Sequence, residues 1–214
     1  MAMISIKNLN FSYDDKVGYE NFNLDISKGE TTVILGESGE GKTTLLKILA
    51  NLVEYKGQIT GMTYPVSIVF QNDRLIKNLT VRENLQLVCG SADISLALKE
   101  IGLGDYENAY INTLSAGMKR RVAILRALLF NAQIYLFDEP FINLDLKLKY
   151  KIMDKIKETC KDKTVILVTH DIKEAVYLAD RIIVLKDKKI SFDIRKENQD
   201  QKMLENILFE QMIK

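Results

Sequence analysis

The sequence predicts an α/β fold whose mostly parallel sheet carries helices on both faces. Three short apolar runs rich in β-branched residues are expected to be buried strands: TTVILG (31–36), IYLF (134–137) and TVILVT (164–169). Helical patterns such as KTTLLKILANL (42–52) follow these runs, and this alternation is typical of parallel strands joined by helices. With 214 residues and 47% hydrophobic content, the chain is predicted to form one domain over residues 1–214.

The N-terminal part is expected to depart from the parallel pattern. Residues Ile4 to Leu9 and Glu20 to Ile26 are predicted to be short strands around a polar turn, which gives an N-terminal antiparallel β subdomain. Residues Gly57 to Phe70 are predicted to form a hairpin, with GQIT and VSIVF as its two strands.

A helical subdomain is predicted to be inserted over about residues 72–130. Apolar residues recur three and four positions apart in VRENLQLV and DISLALKEIGL, which is the spacing of one helix face. A longer helix is expected over 115–130, with Ser115 as its N-cap. At the C-terminal end, residues 198–214 are predicted to form a short amphipathic helix.

Composition limits the partners and the compartment. The formal net charge of +1 gives no indication of a nucleic-acid partner. Cys89 and Cys160 fit no metal-ligand spacing, which favours reduced side chains in a reducing compartment. The N-terminal residues lack the apolar segment of a signal peptide, and no run is apolar enough to span a bilayer. The sequence therefore predicts a cytoplasmic protein.

The segment GESGEGKTT (36–44) has the spacing of a P-loop, and the strand and helix around it supply the context that this motif requires. Lys42 is expected to bridge the β- and γ-phosphates of a nucleotide, and the Thr43 hydroxyl is expected to bind Mg²⁺. A chance match on a glycine-rich turn is the alternative. The loop residues predicted to contact the nucleotide are Gly36, Glu37, Ser38, Gly39, Glu40, Gly41, Lys42, Thr43 and Thr44.

Three polar residues follow predicted strands. Asp138 and Glu139 come directly after IYLF, and His170, the only histidine of the chain, directly follows TVILVT. Open α/β sheets bind their ligands at the carboxyl ends of the strands. Asp138 is expected to hold Mg²⁺ through water, Glu139 to polarise a water for attack on the γ-phosphate, and His170 to contact that phosphate or water. Solvated strand ends and a structural histidine are the alternatives.

The segment LSAGMKRR (114–121) opens the long helix with Ser115 and Gly117. Helix N-termini attract anions, because their main-chain N–H groups are unpaired and the helix dipole is positive there. Without further context, an ordinary capped helix explains this segment equally well.

In this order, the four motifs resemble the ATP-binding subunit of ABC transporters, and the resemblance covers residues 3–193. LSAGMKRR is its most specific part, because it resembles the family's LSGGQ-type signature, which other P-loop classes lack at this place. The resemblance implies a P-loop NTPase core and an active ATPase, with ATP as the nucleotide and Mg²⁺ as the metal.

Further residues match the family's motifs. Gln71, in IVFQNDRL, is similar to the Q-loop glutamine, which implies a part in catalysis and in Mg²⁺ binding beside Thr43 and Asp138. Asp145 resembles the D-loop aspartate, and His170 resembles the switch histidine. Tyr13, in FSYDD, resembles the aromatic residue that stacks on adenine, although an ordinary strand residue is the alternative.

The resemblance also implies an assembly at the inner face of the cell membrane. Two ATPase subunits, identical or different, are expected to close head-to-tail, each ATP lying between one P-loop and the partner's Ser115 to Gly117 segment. A membrane permease and a substrate-binding protein are the further partners implied. The apolar residues expected to line a groove for a permease helix are Leu75, Ile76, Leu79, Val81, Leu85 and Leu87.

The sequence around the motifs is similar to that of ATPases from importers of the nitrate, sulfonate, taurine and thiamine-precursor group. The similar parts are VFQNDRLIKNLTVRENL, Met118 and EPFINLD. An exporter or lipoprotein-release ATPase and a non-transport regulatory ABC protein are the alternatives.

Some residues depart from the family pattern. Ala116 replaces a glycine, which is unfavourable at positive φ but favourable in the first turn of a helix. Arg120 occupies a position where glutamine is usual. Glu40 places a negative charge near the phosphate path, which at roughly 8 Å and an effective dielectric constant of about 20 opposes ATP by about 2 kcal/mol before screening. Its side chain is therefore expected to point away from the phosphates.

Overall fold

The computed structural model describes residues 3–13, 16–90, 92–196 and 200–213. Its strands, in chain order, are β1 (Met3–Tyr13), β2 (Lys16–Ser27), β3 (Thr31–Leu35), β4 (Lys56–Thr60), β5 (Ser67–Val69), β6 (Ile134–Asp138), β7 (Thr164–Thr169), β8 (Arg181–Lys186) and β9 (Lys189–Arg195). Its α-helices are α1 (Lys42–Leu49), α2 (Val81–Gln86), α3 (Ile94–Glu100), α4 (Ala116–Leu129), α5 (Leu146–Thr159), α6 (Ile172–Leu178) and α7 (Gln201–Ile213).

The chain divides into two compact units. The first consists of Met1–Val66, Gln133–Asp138 and Asp162–Lys214, and the second of Ser67–Ala132 and Glu139–Lys161. The predicted helical insertion over about 72–130 lies inside the second unit, and its exact extent stays a prediction.

The first unit contains an antiparallel sheet in the order β2-β1-β4. Ile6 pairs with Leu24 of β2 and with Ile59 of β4. Ile4, Ile6, Leu24 and Ile26 are buried, because the alternation of side chains in these strands places them on one face. The predicted N-terminal antiparallel subdomain is confirmed, with strands longer than the sequence indicated.

A second sheet runs through the first unit in the order β6-β7-β3-β8-β9. Strands β6, β7, β3 and β8 are parallel, and β9 is antiparallel to β8. Every residue of β6 and β7 is buried, as expected for strands covered on both faces. The predicted α/β fold with a mostly parallel sheet is therefore confirmed. Leu35 pairs with Thr169, and Asp138 pairs with Val168, so the carboxyl ends of β3, β6 and β7 share one edge.

The predicted hairpin over residues 57–70 is wrong. Strand β4 pairs with β1, and β5 is not part of that sheet. The reason is that β4 takes the much longer strand β1 as its partner, with Ser5 and Ile6 opposite Thr60 and Ile59. Just after β4 the two main chains are so close that a Cβ at Gly61 would lie 2.0 Å from the Met3 carbonyl oxygen.

The regular structure of the second unit is mainly helical. Helix α2 begins with a capping box, in which the Thr80 side chain accepts from the Glu83 N–H and the Glu83 carboxylate accepts from the Thr80 N–H. Val81 and Leu85 on this helix are fully buried. Helix α4 buries most of its apolar residues, and Arg120 is buried with them.

Helix α7 confirms most of the predicted C-terminal helix. Leu204 and Leu208 are its fully buried residues. The predicted starting residues 198 and 199, and residue 214, lie outside the described residues. Within the ranges that the structure describes, no helix has the length and apolar character needed to cross a membrane.

Candidate active site

The P-loop joins β3 to α1, and its last glycine begins the helix. Gly41 is the N-cap of α1 with φ 87°, a conformation that residues with a Cβ rarely adopt. A Cβ at this position would also lie 2.9 Å from the Tyr19 hydroxyl oxygen. Glycine is therefore required here, at the start of a helix, which is where main-chain N–H groups bind anions.

Lys42 is the first residue of α1, and only 6% of its surface is exposed. Its ammonium group donates to the carbonyl oxygens of Gly36 and Glu37, each at 2.8 Å. The ammonium is thus anchored to the beginning of the same loop whose end starts the helix. This arrangement places a positive charge within the loop, where it can attract a bound phosphate group.

Thr43 and Asp138 are in direct contact. The Thr43 hydroxyl donates to the Asp138 carboxylate at 2.8 Å, and Asp138 is 2% exposed at the end of β6. A hydroxyl and a carboxylate that meet beside the P-loop lysine form a donor set of hard oxygens, which fits Mg²⁺. The structure brings together these two of the predicted metal ligands, whereas the third, Gln71, belongs to the second unit.

His170 lies in a tightly held turn after β7. The Thr169 hydroxyl donates to the buried Glu174 carboxylate at 2.6 Å and accepts from the Asp171 N–H at 3.0 Å. The Asp171 carboxylate in turn caps α6 by accepting from the N–H groups of Lys173 and Glu174. The main chain on both sides of His170 is therefore fixed, while its side chain is exposed at the carboxyl edge of the sheet.

Tyr13 ends β1 and is 45% exposed. Its ring packs edge-to-face on Phe11, with the centroids 4.6 Å apart. Phe11 thus supports the ring from one side, while the exposed part is compatible with stacking on a planar group.

The acidic residues of the P-loop have different surroundings. Glu37 is exposed, as are Ser38 and Gly39. The Glu40 carboxylate accepts from the main-chain N–H of Lys188, in the turn between β8 and β9. Its charge is thus directed at that turn.

In the second unit, Ser115 and Gly117 open α4. The Ser115 hydroxyl accepts from the Met118 N–H at 3.3 Å, as the predicted N-cap should. Ala116 is the first residue of the helix, so the first-turn interpretation is confirmed and alanine is unstrained there. A Cβ at Gly117 would lie 2.7 Å from the Asn143 carbonyl oxygen, so this position requires glycine.

Gln71 and Glu139 share one structural partner, Arg120. Gln71 is exposed, and Glu139 directly follows β6 with φ 46°. The Arg120 guanidinium donates to the carbonyl oxygens of Gln71 and Glu139, and also to those of Phe70 and Pro140. In the sequence, Arg120 stands out only as a departure from the expected glutamine. A charged residue among the apolar positions of a predicted helix was the signal that could have indicated its burial.

Asp145, the predicted D-loop aspartate, is the N-cap of α5. Its carboxylate accepts from the Leu148 N–H at 3.0 Å. The structure therefore gives this residue a local structural part, and a role toward a second subunit stays a prediction.

Comparison with known families matches the part of the chain that runs from before the P-loop to just after Glu139. The family described as "ABC transporter" matches residues 19–142. Aliphatic sulfonates import ATP-binding protein SsuB 1 of Paracoccus denitrificans (strain Pd 1222) is 40% identical over 200 residues, covering 90% of this chain and 83% of that protein. Thiamine import ATP-binding protein ThiQ of Haemophilus influenzae (strain 86-028NP) is 37% identical over 204 residues, covering 85% of this chain and 95% of that protein.

Solved structures agree with this result. The dimeric structure of MJ0796, a bacterial ABC transporter cassette, superposes with a TM-score of 0.80 at 33% identity, covering 92% of this chain and all of that one. The dimeric post-hydrolysis state of MJ0796 bound to ADP and Pi gives a TM-score of 0.79 at 31% identity, with the same coverage. The predicted family resemblance is confirmed, and the chain belongs to the ABC transporter family.

Proposed function

We propose that the chain is the ATP-hydrolysing subunit of an ABC importer of a small solute, which couples ATP-driven dimer closure to a separate permease. The observation that carries the proposal is the contact of Thr43 with the buried Asp138, beside a P-loop lysine held by loop carbonyls. The similarity to subunits named for sulfonate and thiamine import supports import over export.

The first unit would bind the nucleotide. Main-chain N–H groups at the start of α1 and the Lys42 ammonium hold the phosphates, and Tyr13 stacks on the adenine. Thr43 and Gln71 are the proposed ligands of Mg²⁺, and Asp138 is proposed to hold the ion through water. The ion would neutralise charge on the phosphate oxygens when bound.

Glu139 and His170 are the proposed catalytic groups, with Gln71. The Glu139 carboxylate would polarise the attacking water and take its proton, and His170 would contact the γ-phosphate or that water. Both residues directly follow strands, and open α/β sheets bind their ligands at the carboxyl ends of the strands.

The active assembly is proposed to be a head-to-tail dimer, with either a second copy or a homologous chain as the partner. The N–H groups at the start of α4, from Ser115 to Gly117, would meet the γ-phosphate of an ATP held by the other subunit. The dimeric solved relatives support this assembly. Closure would exclude water from the phosphates and strengthen every electrostatic contact to them.

The permease is proposed to dock on the second unit, at the inner face of the membrane. Ile76 and Leu87 are 47% and 57% exposed and suit an apolar partner. The predicted groove needs one correction: Val81 and Leu85 are fully buried, because they form the inner face of α2, and cannot line it. A substrate-binding protein would deliver the solute to the permease.

The test uses Glu139→Gln, which keeps the size of the side chain and removes its basicity. We expect turnover to fall by about 100-fold or more, while ATP binding is kept and ATP-dependent dimers accumulate on gel filtration. Hydrolysis at the parental rate would refute Glu139 as the base. Import is tested in vesicles that contain the permease and its binding protein, with an alkanesulfonate and thiamine as probes. Failure of both to stimulate hydrolysis would count against the proposed substrate group.

A further inference from the structure

We infer that Arg120 is a positioning residue, which fixes the main chain at Gln71 and at Glu139 together and thereby sets the rate of hydrolysis without touching ATP. The inference rests on the proposed function, because Gln71 and Glu139 are proposed catalytic groups. It concerns contacts that all lie within the second unit.

The Arg120 guanidinium joins two segments that are distant in sequence. Its Nε donates to the Pro140 carbonyl at 2.8 Å, and its Nη2 donates to the Glu139 carbonyl. Its Nη1 donates to the Phe70 carbonyl at 2.6 Å and to the Gln71 carbonyl at 3.3 Å. One rigid planar group therefore fixes the spacing between the main chains of the two segments.

The burial of Arg120 explains why all these acceptors are needed. The side chain is 2% exposed, and a buried cation is costly unless its N–H groups are bonded. Four carbonyl oxygens satisfy the guanidinium, and the Asp73 carboxylate, at 3.2 Å from Nη1, compensates its charge. Any movement of either segment would leave a buried donor unsatisfied, so the guanidinium resists such movement.

Glutamine, which the family resemblance leads us to expect at this position, cannot make all of these bonds. Arginine presents five N–H donors on three nitrogens, whereas glutamine presents two donors on one nitrogen. The two N–H groups of an amide nitrogen can reach at most one carbonyl on each of the two segments, whereas the guanidinium donates to two carbonyls on each. Lysine likewise offers all its donors from one point.

The conformation of Glu139 makes this support important. Its φ of 46° lies in the left-handed region, which is uncommon for a residue with a Cβ. The main-chain angles determine where the Glu139 Cβ, and hence its carboxylate, points. By holding the carbonyl on one side of the residue, Arg120 selects this conformation and so positions the proposed base.

The experiment compares four variants of the full chain: Arg120→Gln, Arg120→Ala, Glu139→Gln and, as a matched control, Arg126→Gln. Arg126 lies on the same helix and donates to the Asp73 and Arg74 carbonyls, so it binds the loop after Gln71 but makes no described bond to the Glu139 segment. The measurements are kcat, the KM for ATP, the melting temperature, and rescue of Arg120→Ala by millimolar guanidinium, with methylammonium as the control cation.

For Arg120→Gln we expect kcat to fall by about tenfold or more with the KM for ATP within about twofold of the parent, because a small misplacement affects the reaction more than binding. Guanidinium should restore part of the kcat of Arg120→Ala and methylammonium should not, and Arg126→Gln should keep the parental kcat.

Two results would overturn the inference. One is a parental kcat in Arg120→Gln, and the other is a loss of kcat that follows the melting temperature and that guanidinium does not rescue, which is the behaviour of a purely structural residue. Glu139→Gln separates the two proposals: full activity in that variant refutes the proposed base, whereas inactivity there with full activity in Arg120→Gln refutes the positioning role alone.

Discussion

The Glu40 carboxylate accepts a hydrogen bond from the main-chain N–H of Lys188 at 3.0 Å. Lys188 and Asp187 form the tight turn between β8 and β9, with φ of 59° and 50°. This bond directs the acidic side chain of the P-loop toward the turn, where it satisfies a main-chain donor. An acid near the phosphate path is thus tolerated because it has a structural partner elsewhere.

The two functions of Glu40, charge and hydrogen bonding, can be separated by two substitutions. Glu40→Gln keeps an oxygen acceptor and removes the charge, so we expect modestly tighter ATP binding with unchanged stability. Glu40→Ser removes both, so we expect similarly tighter binding but a loss of about 1 kcal/mol in the free energy of unfolding. Calorimetric titration with ATP and urea denaturation measure the two effects. A large drop of ATP affinity in both variants would show that Glu40 itself supports the bound phosphates or metal.

Tyr19 provides a test of the packing behind the P-loop. Its hydroxyl is buried next to Gly41 and has no hydrogen-bond partner among the described residues. Burial, and secondarily the charge of Glu40, raises the pKa of this phenol well above its usual value, so it stays protonated.

We therefore expect Tyr19→Phe to raise the free energy of unfolding by about 1 kcal/mol, because it removes an unsatisfied buried hydroxyl. Tyr64→Phe is the matched control: the Tyr64 hydroxyl donates to the Leu49 carbonyl at 2.9 Å, so its loss should destabilise. Urea denaturation checks both. If Tyr19→Phe instead destabilises, its hydroxyl has a partner in solution.

At the start of α4, exchanging glycine and alanine at two neighbouring positions is expected to have effects of different size. Gly117→Ala places a Cβ 2.7 Å from the Asn143 carbonyl, so one main-chain segment must shift; we expect a loss of about 1–3 kcal/mol in stability together with lower ATPase activity. Ala116→Gly should cost at most about 1 kcal/mol, because it only lowers helix propensity. Thermal denaturation and steady-state hydrolysis distinguish the two. Equal effects would mean that the close approach to Asn143 is absent in solution.

The contact of Thr43 with Asp138 predicts the response to Mg²⁺. Asp138→Asn should raise the Mg²⁺ concentration for half-maximal hydrolysis by about 10–100-fold, because it removes the charge that orients the metal's ligands. Thr43→Val should also weaken the response to Mg²⁺, whereas Thr43→Ser keeps the hydroxyl and is the control. Hydrolysis is measured over a Mg²⁺ titration at saturating ATP. An unchanged titration curve in Asp138→Asn would exclude this residue from the metal site.

Features that depend on neighbouring residues in the chain were predictable from the sequence. The P-loop, the strand before Asp138 and the N-cap at Ser115 are local patterns, in which spacing and residue type alone specify the conformation. The alternation of strands and helices predicted the parallel sheet, and the order of the motifs predicted the family.

Features that depend on distant partners were decided only by the tertiary structure. The Glu40 carboxylate accepts from the N–H of Lys188, which is 148 residues away in the sequence. The Arg120 guanidinium donates to the carbonyl of Phe70, 50 residues before it, and to that of Pro140, 20 residues after it. The hairpin over 57–70 failed for the same reason, because β4 takes β1 as its partner. The sequence by itself thus determined the family and the chemical groups. The packing of distant segments determined where the P-loop acid points, how Glu139 is held and which apolar side chains remain exposed, because these depend on contacts that no local pattern encodes.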